Sequence, residues 1–386
     1  MSAAANVVLV AAPKNGKLSH ILELDGVRGI AVLLVLVAHL TMIPRGHPLF
    51  NYLALGTTGV QLFFVLSGFL ITRILLVSED EPEYFKRFYL RRALRIFPLY
   101  YAVLIAYFWV IAPLTGASTT HEAWYWFYLM NYVTSGPPRL DHFWTLAIEE
   151  QFYLVWPLIV LVVKRKWLAP LCLSLAGCVM LARFTLYGYV SNTTISEATL
   201  FSLDPLAIGA AIAATWSISA QRGNMGRFGL IALATGLTLF VAAVILGNGN
   251  THSRVPMMIR MGNAGVALIY GGWIMRILVH SSGEGFVSRF LRAPAMTNIG
   301  KYSYAIYVLH YPLAKLTISS SLKITNSLVL ASLLSLVAGF CLSYALAALS
   351  WRFLEQPCLR LKDRLAPYGA VAASIASSGN FKTAKA

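Results

Sequence analysis

The chain is predicted to be an all-α, polytopic membrane protein, a bundle of about ten transmembrane helices with both termini cytoplasmic, and three observations carry that expectation. Of 386 residues, 58% are hydrophobic and only 12% charged. The mean hydropathy of +0.67 is far above that of a soluble protein, whose polar residues must cover its surface. Ten apolar runs each reach the length, about 20 residues, that spans a bilayer. Between them the basic residues fall in short clusters on alternate connections, the pattern that signals topology.

The runs lie near 23–43, 55–77, 97–115, 142–163, 168–189, 199–219, 228–247, 258–280, 299–320 and 327–353. The first is apolar from Leu24 to His39 except for Asp25, Arg28 and that histidine. In the second, Gly59, Ser67 and Gly68 allow close helix approach. Pro98 and Pro113 bound the third, and amphipathic residues begin the fourth. Cys172 and Cys178 lie in the fifth and Cys341 in the tenth; with Cys358 they show no metal-ligand spacing and read as small packing residues, so no metal is expected. Asp204 precedes Pro205 in the sixth, Ser303, Tyr307 and His310 recur at helical spacing in the ninth, and the tenth leads into Trp351 and Glu355.

The clusters Lys86/Arg87/Arg91/Arg92/Arg95, Lys164/Arg165/Lys166, Arg222/Arg227, Arg289/Arg292/Lys301 and Arg360/Lys362/Arg364 share one side of this path with Lys14 and Lys17. That side is expected to be cytoplasmic. Arg45, Arg139, Arg254 and Lys323 lie in the opposite loops. A net charge of +16 also suits nucleic acid, but its distribution between apolar runs argues against that partner. The expected organisation is a cytoplasmic tail over 1–22, a transmembrane domain over 23–358 and a disordered cytoplasmic tail over 359–386, so chemistry belongs in the membrane domain. Val7–Ala12 is too short for a secretory core.

Several polar side chains sit where apolar ones would be cheaper. Between Arg28 and His39, eleven steps of roughly 100° return almost to the starting direction, placing both on one helix face roughly 16 Å apart. A cation near the membrane surface and an imidazole deep inside make a site by default. Arg92 and Arg95, three apart, suit anionic lipid or a phosphate-rich ligand, whose oxygens a guanidinium grips in a fork. Glu149 and Glu150 cannot share a direction, so one faces either the interior or the headgroups; an interior carboxylate needs a partner, and His39 is nearest by depth. The bland alternatives are helix packing for Ser67, a satisfied structural donor for His310 and a surface ion pair for Glu355. Trp124, Tyr125, Trp126 and Tyr128 suit interfacial anchoring or stacking on sugar rings.

In this order, these segments resemble the acyltransferase 3 family of integral-membrane O-acyltransferases over nearly the whole chain. The family's arginine, ten residues, histidine pattern corresponds to Arg28 and His39, and its Phe-Phe-x-x-Ser-Gly-Phe element to Phe63, Phe64, Ser67, Gly68 and Phe69. Arg92, Arg95, Ile96 and Pro98 match its Arg-x-x-Arg-Ile-x-Pro element. Trp144, Leu146 and Glu149 match Trp-Ser-Leu-x-x-Glu, with Thr145 in place of the serine. The late signatures correspond to Ser303, Tyr304, Tyr307, His310, Pro312, Glu355 and Pro357. Some relatives carry a hydrolase-like domain after the last helix.

The resemblance implies an acyl-CoA donor, acetyl-CoA first, with no tightly bound cofactor, and a multi-pass protein of the bacterial cytoplasmic membrane. Arg28, Arg92 and Arg95 are then expected to hold the donor's phosphates, which leaves its pantetheine arm to run inward to His39. His39 is expected to act as general base or to take the acyl group itself, with Glu149 orienting it. Ser67, Trp144, Tyr304, Tyr307, His310 and Glu355 are expected to support substrate or structure. The expected acceptor is a hydroxyl of a cell-surface or secreted glycan; a macrolide or other natural product is the alternative, and a transporter or flippase without transfer chemistry the second.

Overall fold

A computed structural model describes residues 20–365 apart from 134, 135, 138, 219–221 and 281–284. Residues 1–19 and 366–386, most of the two expected tails, lie outside the described residues. A helix meets each apolar run: α1 (Leu22–Leu40), α2 (Phe50–Val77), α3 (Tyr84–Thr115), α4 (Asp141–Val162), α5 (Arg165–Leu186), α6 (Asp204–Ser217), α7 (Met225–Leu246), α8 (Met258–Val279), α9 (Pro294–Ile324) and α10 (Leu328–Ser350). α10 passes through a π-turn, Trp351–Glu355, into α11 (Gln356–Leu365), beyond the tail boundary expected at 358. By length and composition, seven of these segments can cross a membrane: α2, α3, α4, α5, α7, α8 and the rod beginning at Leu328. α1 carries Glu23, Asp25 and Arg28 in its first two turns, and α6 has only 14 residues.

Pro98 does not begin α3 but lies inside it, so the amphipathic stretch before it belongs to the same helix. Pro157 likewise lies inside α4. Prolines disturb the backbone ladder, and in lipid neighbouring side chains must restore the lost partners. Tyrosine hydroxyls add hydrogen bonds to backbone carbonyls near both prolines: Tyr304 donates to the carbonyl of Ile96 at 2.7 Å, Tyr89 to that of Leu154 at 2.7 Å and Tyr84 to that of Pro157 at 3.2 Å.

The centre of the bundle is set by backbone contact. A Cβ on Gly300 would collide with the Asp25 carbonyl, and one on Gly29 would stand 2.7 Å from that of Met296, so α1 and α9 touch with no side chain between them. Gly68 against Leu206 and Gly209 against Val65 do the same for α2 and α6. On the periphery, α7 turns Leu230, Ile231, Leu237, Val241 and Ile245 outward, as lipid solvation favours. The buried Asp204 is neutralised in the fold by a two-point ion pair with Arg183, at 3.0 and 2.6 Å.

The connection between α3 and α4 folds back over the bundle. Tyr125 and Tyr128 are buried in its core, where Tyr100 stacks on Tyr128 at 4.1 Å and donates to the Tyr125 carbonyl, so neither is free to stack on a ligand or anchor at an interface. Gln151 ties this connection down, donating to the Tyr128 carbonyl at 2.7 Å and to Asn131 at 2.9 Å.

Candidate functional site

Two cavities lie along α1. The larger, about 700 Å³, surrounds Arg28 at the basic end of the bundle. Arg91, Arg92 and Arg95 on α3 and Lys301 on α9 also line it, opposed by Asp25, Glu149 and Glu150. Arg92 lies over the Tyr153 ring at 5.6 Å, and Glu149 is hydrogen-bonded by Ser67 and Tyr153, whose hydroxyls also bond each other. Glu355 accepts from Ser350 at 2.9 Å and stands within electrostatic reach of Arg95 and Arg28. Cations therefore outnumber carboxylates on the wall, which favours a polyanion. Ser303, fully buried on the same wall, has no hydrogen-bond partner among the described residues.

The smaller cavity, about 260 Å³, is lined by His39, His142, Asp141, Gln61, His252, Arg254, Asn263 and Tyr311 among others. Here His39 Nδ1 meets His310 Nε2 at 2.9 Å. The tautomers follow from the next partner: His310 Nδ1 lies 2.6 Å from the Tyr307 carbonyl, which can only accept. Nδ1 of His310 therefore carries the proton, its Nε2 accepts, and His39 donates from Nδ1. Nε2 of His39 is left with its lone pair. The ring is braced edge-on by Tyr311, with centroids 4.9 Å apart.

Glu149 does not orient His39, as sequence depth suggested. α4 begins with a tight turn at Asp141–Phe143, so His142 stands at the level of His39, while Glu149 lies seven residues, roughly 10 Å, further along with the arginines. His310 takes the orienting place instead. Val60, Thr145 and Tyr307 line both cavities and form the seam between them; Thr145 and Tyr307 hydroxyls bond at 2.6 Å, and Tyr307 also donates to the His142 carbonyl at 3.1 Å. Trp144 lines the small cavity and packs edge-on against Phe64. Tyr304 lines the large one.

Sequence reasoning passed over His142 and Tyr311 and took Arg254 only as a loop residue. His142 had a legible signal, because His142, Thr145 and Glu149 recur at steps of three and four and so share one face of α4. Arg254 had none: it comes from a connecting loop and pairs at 2.7 Å with Glu197 of another.

A family model described as an acyltransferase domain matches residues 21–352. The peptidoglycan O-acetyltransferase OatA of Listeria monocytogenes is 31% identical over 364 residues, covering 88% of this chain and 56% of its own length. A putative peptidoglycan O-acetyltransferase of Bacillus subtilis, YrhL, is 28% identical over 371 residues, covering 88% and 55%. The O-acetyltransferase OatA of Staphylococcus aureus is 25% identical over 369 residues, covering 86% and 56%. The chain thus spans about half the length of these curated relatives. No solved structure matches it. The chain belongs to the acyltransferase 3 family.

Proposed function

We propose that this family member is a membrane O-acyltransferase that takes an acyl group, acetyl first, from acyl-CoA in the large cavity and delivers it to a hydroxyl of a cell-envelope glycan in the small one. The observation that carries the reading is His39 itself: its Nδ1 is held by His310, its Nε2 is left basic, and a shared seam joins its cavity to one walled by arginines. Arg28, Arg92 and Arg95 grip the donor's phosphates, and the thioester reaches the seam. The acceptor hydroxyl enters the small cavity and loses its proton to Nε2 of His39 as its oxygen attacks the thioester carbonyl. The C–S bond then breaks, and the departing thiolate takes the proton back from the imidazolium, leaving an ester and CoA. Such base catalysis contributes about 10²–10⁴-fold to rate.

The positive-inside rule supports a cytoplasmic arginine end, which suits a bacterial inner membrane with acyl-CoA supplied from the cytoplasm. The relatives' names favour a sugar hydroxyl, and peptidoglycan first. The test is to incubate vesicles containing the protein with acetyl-CoA labelled in the acetyl group, together with glycan fragments or a macrolide. Ester label on glycan fragments is the expected result. Label on the macrolide alone would reassign the acceptor, and transport of a labelled compound with no new ester would overturn the enzyme reading.

A further inference from the structure

His142 is 3% exposed, borders the small cavity and is not used by the step above. Its Nε2 lies 3.3 Å from the Val308 carbonyl, which only accepts, so Nε2 carries the ring's proton in the neutral form. Nδ1 is then a lone pair, buried and without a partner among the described residues. Asn263 Oδ1, on the wall of the same cavity, is likewise buried and unpaired. Asp141 adds a carboxylate there. An unpaired buried acceptor costs about 1–3 kcal/mol, so a fold that keeps two of them around one cavity has reason to expect donors from outside. The His142 ring stacks on Tyr311, centroids 5.0 Å apart, Tyr311 also braces His39, and all three rings line the small cavity.

We infer that His142 is a specificity-determining residue: its Nδ1 accepts a hydrogen bond from a second donor of the acceptor sugar, a neighbouring hydroxyl or an amide N–H, while His39 activates the hydroxyl that is acylated. The substrate class is therefore a polyhydroxylated ring carrying two donors within one sugar, not a lone alcohol. Asn263 Oδ1 provides the other acceptor on that wall. The inference rests on the acyl-transfer reading and names what its acceptor must present.

Two variants separate the ring's nitrogens. His142→Gln keeps a donor for the Val308 carbonyl and removes the acceptor at Nδ1; His142→Asn does the reverse. Acetyl transfer from acetyl-CoA is measured with methyl N-acetyl-β-glucosaminide and its monodeoxy and N-methylated analogues. Under this assignment His142→Gln raises the KM for the sugar roughly 3- to 10-fold, the yield of one hydrogen bond, and His142→Asn raises it less, while the KM for acetyl-CoA moves less than twofold in both. One analogue that still carries the acylated hydroxyl loses a similar factor with the unmodified protein and nothing further with His142→Gln. An N-methylated compound in that role identifies an amide donor, a deoxy compound a hydroxyl. Losses that multiply for every analogue, or a His142→Asn variant weaker than His142→Gln, would overturn the assignment. An unmodified protein that transfers no acetyl group would instead refute the reading beneath it.

Discussion

The two cavities recognise by opposite means. The large one is walled by long, cationic side chains from three helices, which hold a charge at many geometries and act through field as much as contact. The small one depends on a chain of fixed protons, from His39 to His310 to the Tyr307 carbonyl, in which each nitrogen has one role. On the proposed function, the difference means that binding and chemistry are built to different tolerances: the first should survive a displaced side chain, the second should not survive a displaced proton.

The contrast is most severely tested at His39. Replacing it with Ala should lower kcat by about 10²–10⁴-fold at matched membrane abundance, with acyl-CoA binding retained. Near-normal turnover would remove chemistry from the small cavity. Next in size, His310→Ala leaves the base present but unheld, and a misplacement of this kind costs about 10²-fold in kcat. If His310→Ala were silent while Glu149→Gln abolished turnover, the orienting role would return to Glu149. Arg28→Ala should raise the KM for acyl-CoA by about 10- to 100-fold, the scale of one charge-assisted hydrogen bond, with a smaller effect on kcat. Arg92→Ala and Arg95→Ala should do the same less severely. None should affect a pantetheine thioester lacking the nucleotide, and equal losses with both donors would contradict phosphate recognition.

The smallest effect concerns the rim of the small cavity. Burial pushes the Glu197 carboxyl up to about 7 although Arg254 pairs with it. The folded protein thus binds this proton more tightly than the unfolded chain, so the group's stabilising contribution is full below its ordinary value near 4.5 and is lost as pH rises through about 7. Thermal unfolding followed from about pH 8 to about pH 5 should show Tm rising through that window, and Glu197→Gln should flatten the rise. A slope unchanged by the substitution would remove Glu197 as its source.

The membrane helices and the arginine end were legible because each rests on local arithmetic. An apolar run of sufficient length shows its helix wherever it packs, and Arg28, Arg92 and Arg95 betray a site by being costly where they stand. His39 stood out for the same reason. Its partner did not: His310 is 271 residues away, and the pairing depends on Gly300 and Gly29 letting α1 and α9 touch. Glu149 was misplaced because being early in its helix was read as the level of His39: it lies seven residues, roughly 10 Å, beyond His142, whereas His39 is the penultimate residue of α1. Tyr125 and Tyr128 misled because an aromatic ring carries the same signal at an interface, on a sugar or in a core, and here burial against Tyr100 decides, while Trp124 stays exposed.

The seam has a consequence for the cell's energy supply. A membrane protein that admits one substrate from each face is a potential short circuit, since one elementary charge crossing the bilayer dissipates about 2.3 kcal/mol per 100 mV. Between the two cavities stand Val60, Thr145 and Tyr307, and the hydroxyls of Thr145 and Tyr307 are engaged with each other and with the His142 carbonyl. On the proposed function, the side chains at which the thioester meets its base are therefore also the partition between the two cavities, and their packing has to hold back the leak.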